Sequence, residues 1–580
     1  MASETTYKAA TVQFEPTMFE KERNITRLLE LVRTSAASGA SLIVTPEMGT
    51  TGYCWYDREE VRPYVETVPG PTTDRFEALA REFNCYIILG LPEVDADTDL
   101  YYNTAVLVGP KGFVGKHRKS HPYISEPKWA ASGDVGHAVF DTDVGRIAML
   151  ICMDIHFFET ARLHALGGAD VICHISNWLQ ERAPAPYWIN RAFENACYVI
   201  ESNRWGLERT VQFSGGSCII EPDGNVAASI DTGDGAVYGT IDLSFARRRA
   251  VLNEPIFTGR RPDLYMNLMT NSFTWNPNAF FRLYGYQPLP PGRKSRAAVV
   301  QFTPVDDVGA NAARIAELCI KTMDREKPDL IVFPELSLSG LGQPASRAEP
   351  LTGKAVAQFV KLAMRLRVHL VAGLAEQDGH LCYNTAVLAG PEGFVGSYRK
   401  IHLNAADSTW ASAGVEWKVF DLPIGRVGLL IGHDAIFPEA VRSLSLLGCD
   451  LVACPAAISG RFTGAHGGTA IRHNYPIPTG ADPYHWHGFR VRGGESNVYF
   501  AFANVIDTAR GFRGGSAVFG PDSFAFPRQE SAILEEDGFA AASIDTTNLD
   551  TPYPTNVVRR KDLVAMRLPH HYADLIKWHQ

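Results

Sequence analysis

The chain has 580 residues, 46% of them apolar, 21% charged and 11% aromatic, and carries a formal net charge of −9. That composition excludes a disordered or collagen-like polypeptide, and the acidic balance excludes a global basic field that would recruit nucleic acid or an anionic membrane. No apolar run approaches the ~20 residues that span a bilayer, the first residues lack the basic-then-apolar order of a secretion signal, and the ten cysteines show neither CxxC pairs nor zinc spacing, so a cytoplasmic protein with reduced thiols is expected.

Taken in chain order, short β-branched runs alternate with helical patterns. A helix over 21–38 precedes a buried strand at Ser41–Val44, and a helix over 73–83 precedes a strand at Tyr86–Gly90. Asn103–Val108 and Gly112–His117 read as a hairpin. Arg146–Cys152 reads as an apolar strand, followed by a helix over 157–167 and a strand at Asp170–His174. Such alternation predicts a layered α/β architecture. The basic runs Arg247–Arg249 and Arg559–Lys561 read as solvated or ion-paired surface.

The chain then repeats itself, which accounts for its length. Gln13-Phe14 returns as Gln301-Phe302, and Thr45-Pro46-Glu47 as Phe333-Pro334-Glu335. The run from Tyr102 to Leu107 returns from Tyr383 to Leu388, and that from Gly109 to Gly115 returns, with one substitution, from Gly390 to Gly396. Asn203 maps to Asn504, and Arg260-Arg261 to Arg559-Arg560. Three segments are expected: a first module at 6–269, an aromatic and proline-rich linker at 270–292, and a second module at 293–570. The linker aromatics (Phe273, Trp275, Phe280, Phe281, Tyr284, Tyr286) suit packing across the modules. An insertion in 459–490 carries His466, His473, His485 and His487, without the carboxylate or cysteine neighbours a metal site needs.

Three positions in module one carry chemistry. A buried strand runs into Cys152, turns and starts a helix, a layout that presents a side chain beside backbone N–H groups and a helix N-terminus. Glu47 ends an apolar strand, where a buried carboxylate is costly without a partner. Lys119 ends the hairpin. Together, in the order Glu47, Lys119, Cys152, they make a pattern that no one of them makes alone.

On these residues the sequence resembles the nitrilase superfamily of carbon–nitrogen hydrolases. The matching segments are Thr45–Met48, Gly115–Lys119, Leu150–Asp154 with Phe157-Phe158-Glu159, Arg191–Asn195, Ser202–Arg204, Phe213–Ser217 and Arg260–Leu264. The resemblance implies a fold of two tandem αββα sandwich modules forming an intrachain pseudo-dimer. It makes Cys152 the nucleophile and Glu47 the general base, and has Lys119 and the backbone N–H of Met153 stabilise the oxyanion. Glu126, in a Glu-x₆-Gly pattern ending at Gly133, is implied as a second glutamate that positions Lys119 and the substrate nitrogen. Such thioester chemistry requires no metal and no organic cofactor.

Cys152-Met153-Asp154 followed by Phe158-Glu159 is similar to the amidase and carbamoylase branches. Hydrolysis of a small carboxamide is therefore the leading expectation, with an N-carbamoyl compound as rival, gripped by Arg191 or Arg204, and a nitrile third. Phe158 stands where the family has proline, a change expected to perturb little. Loop aromatics and one amide (Tyr53, Trp55, Tyr123, Trp129, Asn177 and Trp178) are candidate pocket walls. Asp154 is expected to hydrogen-bond locally, and His121, His156 and His174 to be structural. Module two keeps Glu335 and Lys400, but Asp407 replaces the second glutamate and Gly432 the nucleophile. It reads as a catalytically silent copy that supplies a built-in partner, shapes the first site through its insertion, or regulates. The implied partners are a small-molecule amide and the chain's own second module, with further homo-oligomerisation open.

Overall fold

The computed structural model describes residues 5–579 apart from 124, 180–182, 271–288, 469–481, 522–528 and 548–555. The six linker aromatics and His473 lie outside the described residues. Two compact units emerge: Met1–Val251 with Phe462–His487, and Leu252–Arg461 with Gly488–Gln580.

Unit one is built on two six-stranded sheets. The first runs Gly235–Asp242, Thr6–Gln13, Leu42–Val44, Tyr86–Val94, Tyr101–Gly109 and Gly112–Arg118 in spatial order. Its three central strands are parallel, joined by crossover helices, and the rest are antiparallel. Helix Lys21–Ala37 buries Ile25, Leu28, Val32 and Ala36, the i, i+3, i+4 stripe of an amphipathic helix. Helix Pro71–Phe83 opens on a proline, whose missing N–H costs nothing in a first turn, and closes on the left-handed Asn84. Both pack their apolar faces with Val12, Ile43, Ile87 and Val106 into one core.

The second sheet runs Val226–Ser229, Cys218–Ile220, Tyr198–Asn203, Val171–Ser176, Gly145–Ile151 and Val139–Thr142, with helices Phe158–Leu166 and Pro186–Asn195. Polar stitches join the two sheets: Thr11 Oγ1 donates to Glu201 O at 2.6 Å and Ser202 Oγ to Val12 O at 2.6 Å. Unit two repeats the plan with one six-stranded and one five-stranded sheet. The chain is thus a tandem α/β sandwich protein.

Each unit also contains a segment from the other half of the sequence. In unit one, the hairpin Thr463–His466 with Asp482–His487 sets a fully buried Trp486 against Phe193, ring centroids 5.1 Å apart. The Trp486 indole N–H donates to Asn190 Oδ1 at 3.2 Å, and His485 Nε2 lies 2.5 Å from Pro184 O. No group of His, Cys, Asp or Glu suited to a metal ion occurs among the described residues. In unit two, buried Arg260 pairs with buried Glu439 at 3.0 Å, and Tyr265 hydroxyl meets His402 Nε2 at 2.6 Å.

The structure corrects two readings. Arg559 is not the counterpart of Arg260: it is buried against Asp450 at 2.7 Å, as Arg247 pairs with Asp170 at 3.0 Å. The counterpart of Arg260 is Arg567, which opens the same Arg-x-Pro-x-x-Tyr turn. Arg261 N–H donates to Tyr265 hydroxyl at 3.1 Å, as Leu568 N–H does to Tyr572 hydroxyl at 3.0 Å. Nor is the second basic run surface: Lys561 is fully buried, its ammonium donating to Cys449 O at 2.6 Å, and burial lowers its pKa to about 8.

Candidate active site

The apolar strand Gly145–Ile151 stops one residue before the expected end. Cys152 opens a 3₁₀ turn, Cys152–His156, with φ of +44°, a left-handed conformation that strains any residue bearing a Cβ. Helix Phe158–Leu166 follows; Phe157, its N-cap, keeps the extended geometry of Phe437, which precedes a proline, so Phe158 indeed perturbs little. Asp154 anchors the turn locally, as expected. One oxygen accepts the Ile151 N–H at 3.2 Å and bonds His117 Nε2 at 3.0 Å; the other accepts the His121 N–H at 2.9 Å. Arg191 donates to Ile155 O at 2.9 Å and His156 O at 3.1 Å and pairs with Glu194, so its guanidinium is committed to the turn.

Glu47, Lys119 and Glu126 meet beside Cys152, all essentially inaccessible to solvent. Lys119 Nζ lies 2.8 Å from Glu47 Oε1 and 2.6 Å from Glu126 Oε2. Burial opposes the ammonium charge, but the two carboxylates outweigh it and hold the Lys119 pKa well above its ordinary value. Burial raises the Glu126 pKa, Lys119 opposing and Glu47 adding to the rise. Burial and the Glu47 charge push the Cys152 thiol well up, against the pull of Lys119 and of a hydrogen bond from the Asn177 backbone N–H. The resting sulfur is therefore a thiol beside a carboxylate. Gly90 lies beneath: a Cβ there would come within 2.7 Å of Met48 N, so only glycine lets the Glu47 loop seat so closely.

Sequence reasoning missed Asn103. Its amide donates at 2.7 Å to both Glu47 Oε1 and Glu126 Oε1, and the signal was its recurrence as Asn384 within the repeated hairpin. The other expected residues divide. Tyr53 stands over the cluster with Lys119 Nζ 5.7 Å from its ring, and its buried hydroxyl has no partner. Asn177 donates to Glu47 Oε2 at 2.8 Å, and the Tyr123 N–H to Glu126 Oε2 at 2.6 Å. Trp129 is buried with an unpartnered indole N–H. Trp55 instead packs on Tyr64 and bonds Gly52 O, and Trp178 stacks on His156 with centroids 4.7 Å apart.

The carbon-nitrogen hydrolase family profile matches residues 8–250 and again 296–526. The chain belongs to the carbon-nitrogen hydrolase family. A nitrilase from Pyrococcus abyssi is 38% identical over 262 residues, covering 44% of this chain and 98% of the relative. A probable nitrilase from Schizosaccharomyces pombe is 31% identical over 271 residues, covering 45% and 98%. An omega-amidase from Bos taurus is 30% identical over 277 residues, covering 45% and 97%. Each relative is thus one module long. This tandem carbon-nitrogen hydrolase is a hydrolase of carbon–nitrogen bonds, and no helix among its described residues is long and apolar enough to cross a membrane.

The second hydrolase module reproduces the ionic cluster. Lys400 Nζ lies 2.7 Å from Glu335 and 2.6 Å from Asp407, and Asn384 donates to both, at 2.7 and 3.0 Å. At the elbow, Gly432 takes φ of +40°. Glu335 Oε2 accepts the Ala457 backbone N–H at 2.8 Å, the counterpart of the Asn177 N–H that bonds sulfur in module one, and a Cβ on Gly432 would overlap that oxygen. The carboxylate has settled into the space a thiol would fill.

Proposed function

We propose that module one is a cysteine-dependent amidase hydrolysing a small carboxamide to a carboxylate and ammonia. The observation that carries this reading is the buried Glu47–Lys119–Glu126 cluster set beside a strained cysteine elbow. Glu47 takes the thiol proton as Cys152 sulfur attacks the carbonyl carbon, and the π electrons move onto oxygen. The Lys119 ammonium and the Met153 N–H hold that oxyanion. Collapse breaks the C–N bond, the proton held by Glu47 passes to the departing nitrogen, and a thioester remains. Glu47 then deprotonates water as its oxygen attacks the thioester; the C–S bond breaks, Glu47 returns that proton to sulfur, and the acid leaves as a carboxylate, its own proton passing to the released ammonia. Glu126 and Asn103 hold Lys119 and Glu47 in register. The Tyr53 hydroxyl, kept protonated by burial and by the charges of Glu126 and Glu47, is a free donor for the substrate, with Trp129 and Tyr123 beside it.

A second reading, in which the substrate carries its own carboxylate, is favoured by Arg204. It is fully buried and stacked on Phe213 at 4.2 Å, and it pairs with Glu208 at 2.6 Å while Nε and Nη2 have no partner. Arg191, the alternative cation, is already engaged. An N-carbamoyl acid or an amide at the far end of an acid, as the name of the omega-amidase relative describes, would suit such a group. Module two, lacking the nucleophile, is a silent copy serving as the chain's own structural counterpart, consistent with the segments each unit takes from the other half of the sequence.

Ammonia release from propanamide, succinamate, N-carbamoyl-β-alanine and propionitrile tests the reading. Turnover of an amide, lost in Cys152→Ala, is expected. Preference for succinamate over propanamide that disappears in Arg204→Leu supports the second reading, and full turnover by Cys152→Ala sinks the mechanism.

A further inference from the structure

His174 and Glu201 are a buried titratable pair that the proposed chemistry does not use. They are register partners on the parallel strands Val171–Ser176 and Tyr198–Asn203, and both are fully buried. Glu201 Oε2 hydrogen-bonds His174 Nδ1, and Glu201 Oε1 accepts from Ser176 Oγ. The other ring nitrogen, His174 Nε2, lies 3.0 Å from the backbone carbonyl oxygen of Cys152. A carbonyl only accepts, so Nε2 bears a proton and donates; at Nδ1 a protonated Glu201 carboxyl donates to the neutral ring, or an ionised one accepts from the imidazolium, and in either state Nε2 keeps its proton. Burying an acid and an imidazole at the middle of two fully buried strands is costly unless they are paired and serve a purpose.

Their target is a single peptide plane. The Cys152–Met153 bond is trans, so the Cys152 carbonyl and the Met153 N–H point in opposite directions. Anchoring the carbonyl on His174 aims the N–H to the other side. Rotation of this plane changes ψ of Cys152 and φ of Met153 and would turn the N–H away; one end of it is Cys152, already held at a strained φ of +44°. We propose that His174, oriented by Glu201, is a positioning residue that pins the Cys152–Met153 peptide so that the Met153 N–H stays aimed at the oxyanion. This rests on the reading of Cys152 as nucleophile and the Met153 N–H as oxyanion donor.

Module two supplies the internal control. There the elbow residue is glycine, which adopts φ of +40° without strain, and the imidazole–acid dyad is gone: Cys454, Ala456 and Phe502 stand where module one has His174, Ser176 and Glu201, and the Cys454 sulfur meets the Gly432 backbone N–H instead of clasping a carbonyl. Cys454 and Phe502 are again register partners, and Phe502 stacks on Phe489 at 4.1 Å in an apolar cluster. The fold therefore accommodates this strand pair without the dyad when no strained nucleophile needs holding.

The test uses the full chain and the amide of the panel with the highest kcat/KM. His174→Cys/Glu201→Phe installs the combination that module two already folds with. Its kcat is expected to fall about 10²-fold, the scale of losing one oxyanion donor, with KM within about threefold. Alkylation of Cys152 by iodoacetamide, followed by peptide mass spectrometry, is expected to stay within about twofold, because displacement at saturated carbon develops no oxyanion. His174→Gln, whose amide can donate to the same carbonyl, should recover about tenfold of the lost kcat. A double variant with kcat within twofold of the parent, alkylation falling in step with kcat, or His174→Gln no better than the double variant would each overturn the inference. Activity surviving in Cys152→Ala would instead overturn the functional reading, and this inference with it.

Discussion

Lys119 and Lys400 occupy near-identical cages, each between two carboxylates and below one asparagine, yet one cage faces a cysteine and the other a glycine. The difference separates what the fold requires from what the chemistry requires. Removing one member of a buried ion cluster strands an unpaired charge, at about 3–5 kcal/mol, so the cluster persists in a module whose elbow residue is glycine. Replacing the strained cysteine by glycine relieves strain, so once selection for turnover ends nothing in the fold opposes that change. An intact Glu–Lys pair in this family is therefore weak testimony to activity, and the elbow residue is strong testimony.

The sharpest way to break the comparison is to delete both lysines in turn. Lys119→Ala is expected to lower kcat by at least ~10³-fold, whereas Lys400→Ala keeps kcat within about twofold and loses about 3–5 kcal/mol of stability; steady-state kinetics and calorimetry on one preparation read both. Equal kinetic losses would mean that module two takes part in the reaction. Trp486→Ala empties a fully buried indole site in unit one and should cost about 3–5 kcal/mol, seen as an earlier denaturation midpoint. Asn103→Leu removes the donor shared by Glu47 and Glu126 and should cost about 10- to 100-fold in kcat, while Asn384→Leu leaves kcat unchanged. Gly432→Cys in a Cys152→Ala background should give no turnover and lose about 1–3 kcal/mol, since the new Cβ meets both strain and Glu335. The smallest effect concerns pH. A raised thiol pKa means less thiolate at any given pH, so alkylation of resting Cys152 should keep climbing above pH ~9, where an ordinary thiol levels off. A plateau at or below pH ~8 would show that Lys119 outweighs burial.

Much of this was legible before any coordinates. The apolar runs, their helical partners and the repeat gave the layered fold, because a buried strand and an amphipathic helix are written in local spacing. Glu47, Lys119 and Cys152 were legible because charged residues and a cysteine at the ends of apolar strands contradict simple burial. Asn103, His174 and Glu201 were not, since their function depends on partners distant in the chain and one of them, His174, reads as an ordinary core histidine. The positive φ of Cys152 leaves no trace at Cys152 itself; only the glycine at the matching position of the copy hints at it. The Arg260–Arg567 equivalence is hard to read from sequence because it is carried by a spaced Arg-x-Pro-x-x-Tyr turn, whereas the adjacent arginines at 260–261 and 559–560 are alike only in composition.

The segments that each unit takes from the far half of the sequence bear on how such a gene can change length. A deletion that trimmed the chain to one module would remove Phe462–His487 from the surviving unit and with it the Trp486 contact to the helix Pro186–Asn195. Cutting at the linker would likewise leave the second body without Leu252–Thr270 and the Arg260–Glu439 pair. The module without an elbow cysteine is in this way bound to its neighbour by structure alone: each unit is completed by a segment encoded in the other half, so the two halves are inherited together.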